Sequence, residues 1–327
     1  MRERRVGLLA VSLATVLVTT GLVTAACGSS GGTAKTSGTS LEKTHLTVAA
    51  LPIVDDVPLF LAIKKGYFRQ QGLTVTPQII AQSTLALPDL LHGSVDIVGG
   101  GNYVSYFGGQ AKGTFDLRVL VAGAACQPDS FGVVAMPSSH ITSAAGLAGK
   151  TIAVNLTNNI QTMMTNVQLK AAGVSPSRVK YVAIPFPDMG AALQGGRVDA
   201  ISAVEPFLAG AESAGARQVV SDCAGATAGL PLSGYFATAA WTQKYPHTAA
   251  AFQRAMAKAQ ALADSDPAAV RQILPTYTKI TAAAAQAIHL ETYPDSTNAA
   301  QLQRVATLMR SGGLLSSPFS VQSMIFR

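Results

Sequence analysis

Polar side chains that follow predicted strands are the residues of this chain whose types and spacing could bind a ligand. In a parallel sheet, ligands lie outside the carboxyl ends of the strands, where helix N-termini and short polar loops meet. The candidates at such positions are Asp55, Asp56, Ser83, Thr84, Asn102, Tyr103, Thr157, Asn158, Met189, Glu205 and Tyr235. Asp55 or Asp56 is also a natural N-cap for the helix expected after Pro58, so capping is an alternative to ligand contact there.

The spacing of the reactive residue types argues against an enzyme. The five histidines are dispersed, without zinc-site or Cys-His spacing, at His45, His92, His140, His247 and His289. Gly149-Lys150-Thr151 resembles the end of a nucleotide-binding P-loop, but it precedes a predicted strand and lacks the first glycine. Gly99–Gly101 lacks the third glycine of a dinucleotide-binding fingerprint. We therefore expect no catalytic residue, metal or cofactor.

Two copies of one helix-to-strand unit must position these side chains. Leu90–Ile97 matches Leu193–Ala200 at Leu, Gly, Val and Asp, which places Asp96 and Asp199 at equivalent positions. We interpret both aspartates as residues that fix a turn rather than contact a ligand. Strands alternating with helices predict a parallel-rich sheet around each copy, and hence an α/β protein with two lobes.

The boundaries of the lobes follow from where the pattern restarts. Residues 45–130 form the first part of lobe 1, residues 131–233 form lobe 2, and residues 234–327 return to lobe 1 as a helical segment. Helices are predicted there at Ala249–Ala263, Pro267–Leu274, Ala282–Leu290 and Ala299–Met309, because alanine-rich stretches separated by Pro, Gly and Asp favour helix.

The N-terminus resembles a bacterial lipoprotein signal. A basic stretch, Arg2–Arg5, precedes the apolar Val6–Val23, and small residues precede Cys27. This predicts a signal peptide over residues 1–27, a lipid on Cys27 and a Gly/Ser/Thr-rich flexible tether over residues 28–44. An uncleaved membrane anchor is the alternative, since the apolar run is nearly long enough to span a bilayer. Both place the protein outside the cytoplasmic membrane.

The net charge limits the possible partners, and the cysteine content limits the possible disulfides. The formal net charge of +7 is small and scattered, so nucleic acid is not an expected partner. Cys126 and Cys223 are left after Cys27 is assigned to lipid. In an exported protein they form a disulfide or stay as two partly buried thiols, and we leave both alternatives open.

Three segments together resemble the substrate-binding lipoproteins of ABC importers for nitrate, aliphatic sulfonates, taurine and thiamine pyrimidine precursors. These segments are Pro58–Val75, Leu147–Val154 and Met189–Phe207. The resemblance runs from about residue 46 to the C-terminus. It implies the type II periplasmic-binding-protein fold, with two lobes joined by two crossover strands that close on a ligand. It also implies delivery to a separate permease and ATPase, and we expect a monomer.

One departure from the sulfonate and taurine proteins concerns the ligand. Those proteins usually carry Trp-x-Pro where this chain has Val204-Glu205-Pro206. A carboxylate in the pocket disfavours a simple anion and suits a ligand with N–H donors, such as an aminopyrimidine. Alternatively, Glu205 caps the helix that begins near Pro206. A thiamine-pyrimidine-synthase-like enzyme and a membrane-tethered ligand sensor are the alternative functions.

Overall fold

The computed structural model describes residues 40–327. The predicted signal peptide, the predicted lipidation site Cys27 and most of the predicted tether lie outside the described residues. The ten strands of the described part are β1 (His45–Ala50), β2 (Thr74–Ile79), β3 (Ile97–Asn102), β4 (Leu117–Ala122), β5 (Phe131–Ala135), β6 (Thr151–Val154), β7 (Lys180–Ala183), β8 (Ala200–Val204), β9 (Arg217–Ser221) and β10 (Ser233–Thr238).

Helices connect the parallel strands and make up most of the C-terminal third. In the described part they are α1 (Val57–Lys64), α2 (Tyr67–Gln70), α3 (Leu87–His92), α4 (Tyr103–Ala111), α5 (Ile160–Ala171), α6 (Phe186–Gln194), α7 (Phe207–Ser213), α8 (Ala239–Lys244), α9 (Pro246–Ser265), α10 (Pro267–Ile273), α11 (Ala284–Ala287) and α12 (Ala299–Ser311). No helix among residues 40–327 is both long and apolar enough to cross a membrane.

The strands form two five-stranded mixed sheets of the same construction. The first has the order β2-β1-β3-β10-β4 and the second has the order β7-β6-β8-β5-β9. In each sheet three neighbouring strands are parallel, and one strand pairs antiparallel with both of its neighbours: β10 in the first sheet and β5 in the second. The chain crosses between the sheets twice, from β4 to β5 and from β9 to β10, which confirms the predicted α/β fold with two crossovers.

The repeated unit explains why the two sheets are alike. Asp96 and Thr47 exchange two hydrogen bonds, one between backbone groups at 2.9 Å and one from the Thr47 amide to the Asp96 carboxylate at 2.9 Å. Asp199 and Thr151 exchange the same pair, at 3.0 and 2.8 Å. Each aspartate thereby pins the turn before its strand to the neighbouring parallel strand, the structural role expected from the sequence.

The C-terminal helices pack against the first sheet. Helix α9 lies on α1, α2 and β4 and contributes small side chains such as Ala251, Ala255 and Ala259 to the core there. Close approach of helices favours alanine, because it buries a methyl group at little entropic cost. The helix predicted over Ala282–Leu290 is shorter than expected: α11 spans Ala284–Ala287 only.

The end of the predicted tether is fixed to this helix. Lys43 donates its backbone N–H to Thr248 Oγ1, and the Glu42 carboxylate accepts hydrogen bonds from the backbone amides of His247 and Thr248. Two donors of the first turn of α9 are thus satisfied by a side chain from upstream. Composition alone placed residues 42 and 43 in a flexible segment, because it does not reveal a capping partner about 200 residues away in the chain.

A disulfide joins the two crossover segments. Cys126 follows β4 and Cys223 follows β9, and the structure bonds them with a Cα–Cα distance of 5.4 Å. Of the two alternatives left open by the sequence, the structure has the bridge. The two cysteines are 97 residues apart, and the loop between them contains the whole second sheet. Closing this loop lowers the conformational entropy of the unfolded chain.

Candidate functional site

A cavity of about 40 Å³ lies between the two sheets. Its walls come from strand ends and crossover segments of both sheets: Leu51, Ile53, Asp55, Ser83, Gly100 and Asn102 from the first, Asn155, Asn159, Ile160, Gln161, Phe186 and Val204 from the second, and Phe131, Leu232 and Ser233 from the crossovers. The cavity therefore occupies the position beyond the carboxyl ends of parallel strands where ligands bind in open α/β sheets.

Asp55 is the acidic side chain that lines this cavity. It lies in a single 3₁₀ turn, Val54–Asp56, directly after the loop that leaves β1. Its Oδ2 accepts a hydrogen bond from Ser233 Oγ at 2.5 Å, whereas its Oδ1 receives no N–H or hydroxyl hydrogen bond among the described residues. Burial raises the pKa of Asp55 to about 6, against the lowering effect of the Ser233 hydrogen bond.

Two more carboxyl groups lie behind Asp55. Asp56 Oδ2 accepts the backbone N–H of Leu51 at 2.8 Å, and the Tyr235 hydroxyl lies close to the same carboxyl group. The Glu291 carboxyl lies next to that of Asp55 and receives no N–H or hydroxyl hydrogen bond among the described residues. Burial raises the pKa of Asp56 to about 8 and that of Glu291 well above its ordinary value, with the neighbouring carboxyls adding to both shifts. Adjacent buried acids of this kind hold protons instead of ionising together.

No basic side chain balances these acids. The cavity lining in the described part of the chain contains no Lys, Arg or His. The four ion pairs found among residues 40–327 lie elsewhere and join Lys43 to Asp96, Arg118 to Asp116, Lys150 to Asp199 and His247 to Glu42. The first-sheet side of the cavity is therefore acidic and free of counter-charges.

The second-sheet side of the cavity is a network of neutral amides. Gln161 Oε1 accepts the backbone N–H of Asn155 at 2.7 Å and the side-chain N–H of Asn159 at 3.0 Å, while Gln161 Nε2 donates to the Ser202 carbonyl at 2.5 Å. Asn159 also caps α5 by accepting the amide N–H of Thr162. Only the Asn155 side-chain oxygen is left without a donor. This wall is held rigidly in place.

Apolar and aromatic side chains complete the enclosure. Phe186 lies at the start of α6 and stacks on Phe207 with ring centroids 5.5 Å apart and planes within 6° of parallel. Phe131, at the start of β5, is fully buried, and Ile53 faces the cavity from the first sheet. Flat apolar walls with a few polar groups are typical of sites for small organic ligands.

Hydrogen bonds between the two sides keep the cavity enclosed. Gln82 Nε2, just after β2, donates to the carbonyl of Asn155 at 2.6 Å. Val54 N–H, beside Asp55, donates to the carbonyl of Glu205 at 3.1 Å. Both bonds join residues of one sheet to residues of the other, so opening the cavity requires breaking them.

Three of the residues singled out in the sequence line the cavity: Asp55, Ser83 and Asn102. Asn102 also caps α4, because its side chain accepts the backbone N–H of Ser105 at 2.9 Å. The others lie elsewhere. Asp56 is behind the cavity wall, Tyr103, Met189 and Tyr235 are buried in the core, Thr84 is half-buried outside the lining, and Thr157 and Asn158 are exposed.

Glu205 has a different position from the one proposed for a ligand contact. Its Oε2 accepts the backbone N–H of Ala209 at 3.1 Å, in the first turn of α7, and its Oε1 accepts that of His289 at 2.9 Å. Burial raises its pKa to about 7 although both amides oppose the shift. The helix-capping alternative describes this geometry, and Glu205 does not line the cavity.

Sequence reasoning missed most of the second-sheet wall. Asn155 and Asn159 bound a polar run after a predicted strand, and the prediction takes Thr157 and Asn158 from that run as ligand contacts instead of the two residues that line the cavity. Gln161 lies one residue inside the helix. Phe131 and Ser233 lie on the crossovers, and only the three-dimensional fold brings them together.

The architecture is that of the periplasmic binding proteins: two mixed sheets, two crossovers and a cavity between them. The chain belongs to the NMT1/THI5-like family, whose model matches residues 54–270. No curated protein matches the chain. The resemblance to substrate-binding proteins expected from the sequence is thus confirmed at the level of family and fold.

Solved structures with this fold include binding proteins and an enzyme. The periplasmic aliphatic sulphonate binding protein SsuA from Escherichia coli is 19% identical with a TM-score of 0.69, covering 86% of this chain and 97% of that one. The periplasmic nitrate-binding protein NrtA from Synechocystis PCC 6803 is 16% identical with a TM-score of 0.74, covering 85% and 84%. The desulfurization enzyme DSZB is 18% identical with a TM-score of 0.61, covering 86% and 96%.

Proposed function

We propose that this protein is an extracytoplasmic solute-binding lipoprotein that captures a small organic molecule between its lobes and delivers it to an ABC permease. The observation that carries the proposal is the enclosed cavity, whose lining comes from both sheets and both crossovers. A ligand held there contacts both lobes at once, so its binding free energy favours the closed arrangement. Membership of the NMT1/THI5-like family and the binding proteins among the structural neighbours support the proposal.

Closure and release follow from the contacts across the cavity. The hydrogen bonds that join the two sides include those from Gln82 to Asn155, from Val54 to Glu205 and from His289 to Glu205. We assign lobe 1 to residues 45–130 and 234–327 and lobe 2 to residues 131–233. The lobes separate when the two crossover segments bend. The Cys126–Cys223 disulfide ties these segments together and limits the motion to a hinge.

The N-terminal sequence supports the location of the protein. The Arg2–Arg5 and Val6–Val23 stretches followed by Cys27 have the order of a lipoprotein signal, and a lipid on Cys27 anchors a monomer at the outer face of the cytoplasmic membrane. A separate permease and ATPase are the partners. Nucleic acid has no role in this scheme.

The proposed ligand carries N–H donors, as an aminopyrimidine does, rather than a sulfonate or nitrate group. The sequence argument for this preference rested on Glu205, but Asp55 is the carboxyl group that lines the cavity. An oxyanion there would face a buried acid with no cation beside it, which is unfavourable. Ligand N–H groups, in contrast, find acceptors at Asp55 and Asn155.

The test is ligand-dependent stabilisation with a matched pair of variants. We expect fractions of a bacterial culture extract to raise the melting temperature of the purified full-length chain, since ligand binds the folded state alone. Asn155→Ala removes a lining amide and is expected to weaken the shift. Asn158→Gly serves as the control, because Asn158 lies in the same loop but is exposed, and its φ of 55° suits glycine.

Two results would contradict the proposal. One is the absence of any fraction that raises the melting temperature of the wild-type chain. The other is chemical turnover of the stabilising compound, detected by mass spectrometry after incubation, which would replace the transport function with an enzymatic one.

A further inference from the structure

We propose that the cavity selects a small nitrogen cation, of the ammonium or amidinium type, and that Asp55 is the residue that selects its charge. This inference rests on the proposed function and names the chemical class of its ligand. It is carried by the position of Asp55, by the acids around it and by the unpartnered atoms that remain in the lining.

The charge balance of the first-sheet side is the first argument. Asp55, Asp56 and Glu291 are buried next to one another. None of them belongs to an ion pair in the described part of the chain. Asp56 and Glu291 keep their protons, so the charge on this side is that of ionised Asp55, and a cation placed beside that buried carboxylate offsets the cost of burying it. A ligand is the component that can bring such a cation into the cavity.

The unpartnered atoms of the lining are the second argument. Among the cavity-lining residues, the buried side-chain atoms that receive no N–H or hydroxyl hydrogen bond are Asp55 Oδ1 and Asn155 Oδ1, one from each side, although the Glu291 carboxyl also lies within hydrogen-bonding reach of Asp55. A ligand with two N–H groups can donate to both and so bridge the lobes. An amide can present either its oxygen or its N–H₂ to a ligand, whereas an ionised carboxylate only accepts. Asp55 is therefore the residue that makes the cavity prefer a positively charged ligand.

The donors that the rest of the lining leaves for an anion, on Ser83, Asn102 and Asn155, are all uncharged. The amide N–H groups of Gln161 and Asn159 are already used within the protein, on Ser202 and Gln161 respectively. The Ser233 hydroxyl donates to Asp55 itself. These contacts leave the second-sheet wall neutral, and the cavity volume of about 40 Å³ favours a small ligand.

Other titratable groups face Asp55 from each element packed around it. Asp56 adjoins it in the same turn, and Glu291 faces it from the segment before Tyr293. The phenols around it stay neutral because burial raises their pKa values, and they are Tyr103, Tyr235, Tyr277 and Tyr293. Burial raises the pKa of both Asp55 and Glu291, and a cation beside Asp55 favours the ionised form of Asp55.

The test is a matched series of probes with one tail and three head groups: n-propylammonium, n-propanol and propane-1-sulfonate. Affinity for the full-length chain is measured by calorimetry at constant ionic strength, together with methylguanidinium and nitrate. We expect the cations to bind at least about tenfold more tightly than the neutral and anionic probes, as for a charge-assisted hydrogen bond. Affinity for n-propylammonium should rise with pH up to about 6 and then level off, because Asp55 must lose its proton.

Two variants distinguish the specific role of Asp55 in ligand binding from a general effect of removing a buried acid. Asp55→Asn keeps the shape of the side chain and is expected to abolish both the preference for cations and the pH dependence. Asp222→Asn is the control, since Asp222 is an equally buried acid in the second sheet that bonds to Thr165 and Ser202 and does not line the cavity. If Asp55→Asn fails to fold, the probe series on the wild-type chain decides the question by itself.

The outcomes distinguish this inference from the proposed function. Tighter binding of the sulfonate, nitrate or n-propanol would overturn the charge assignment and leave solute binding intact. If no probe binds, the compound isolated from a stabilising extract fraction decides: a nitrogen cation supports the inference and any other ligand overturns it. If neither probes nor extract fractions bind, the proposed function fails and the inference fails with it.

Discussion

The two sheets share one construction but present different chemistry to the cavity between them. Each has the same strand order around a central parallel strand and the same aspartate that pins a turn, Asp96 in one and Asp199 in the other. On the first sheet, however, the cavity meets the carboxyl group of Asp55, backed by two more buried acids, whereas on the second it meets amides bonded to one another. The scaffold is duplicated, and the groups available to a ligand are not. In the proposed site, the second-sheet side fixes the geometry and Asp55 on the first-sheet side supplies the charge.

The amide side should be the more sensitive to substitution. Gln161→Ala removes bonds to Asn155, Asn159 and Ser202 and leaves a buried N–H and a buried carbonyl without partners. We expect the free energy of unfolding to fall by about 4 kcal/mol, measured by urea denaturation. Gln194→Ala is the control, because Gln194 is exposed on α6. A loss no larger than that of the control would show that the network is not the rigid half of the site.

The two matched aspartates differ in burial and should differ in effect. Asp96 is buried and also accepts hydrogen bonds from Trp241 Nε1 and Lys43 Nζ, while the Asp199 side chain is 37% exposed. We expect Asp96→Ala to cost about 3 kcal/mol, because it leaves a buried indole N–H unpaired, and Asp199→Ala to cost about 1 kcal/mol. Equal losses in urea denaturation would mean that the shared turn contact dominates at both sites.

The acidic side should respond to pH instead. Burial raises the pKa of Asp56 to about 8, far above the value of an unfolded aspartate, so between those values the folded chain binds the extra proton. Stability therefore falls as pH rises from about 4 to about 8. Asp56→Asn should remove at least about 1 kcal/mol of that fall, which urea denaturation at pH 5 and pH 8 would reveal. If the pH dependence of stability is the same in Asp56→Asn as in the wild type, ionisation of Asp56 does not destabilise the folded chain.

Much of the fold was predictable from local sequence. The apolar strands, the glycine stops and the repeated Leu-Gly-Val-Asp spacing gave the two sheets and their alternation with helices, and the aspartates gave the turns. The crossovers were predictable from the family resemblance. The contact of Glu42 with α9 was not, because it joins residues about 200 positions apart.

The site was predictable only in part, for a geometric reason. In the turns that follow the strands, neighbouring side chains point in different directions, so a shift of one position decides between the cavity and the core. Asn102 lines the cavity and Tyr103 does not. Asp55 lines it and Asp56 lies behind. Spacing identified the right loops, but the side-chain direction depends on the exact twist and register of each strand. Glu205 shows the same limit: its carboxylate turned towards backbone amides that the sequence does not place nearby.

The most direct test of the account is the identity of the natural ligand. Small molecules released by denaturing the full-length chain, purified without dialysis, are identified by mass spectrometry. We predict a single small nitrogen cation, present in the wild-type preparation and in Asp222→Asn but absent from Asp55→Asn. A sulfonate or nitrate in the wild-type preparation, or the same compound retained by Asp55→Asn, would contradict the division of the site into a charged side and a neutral one.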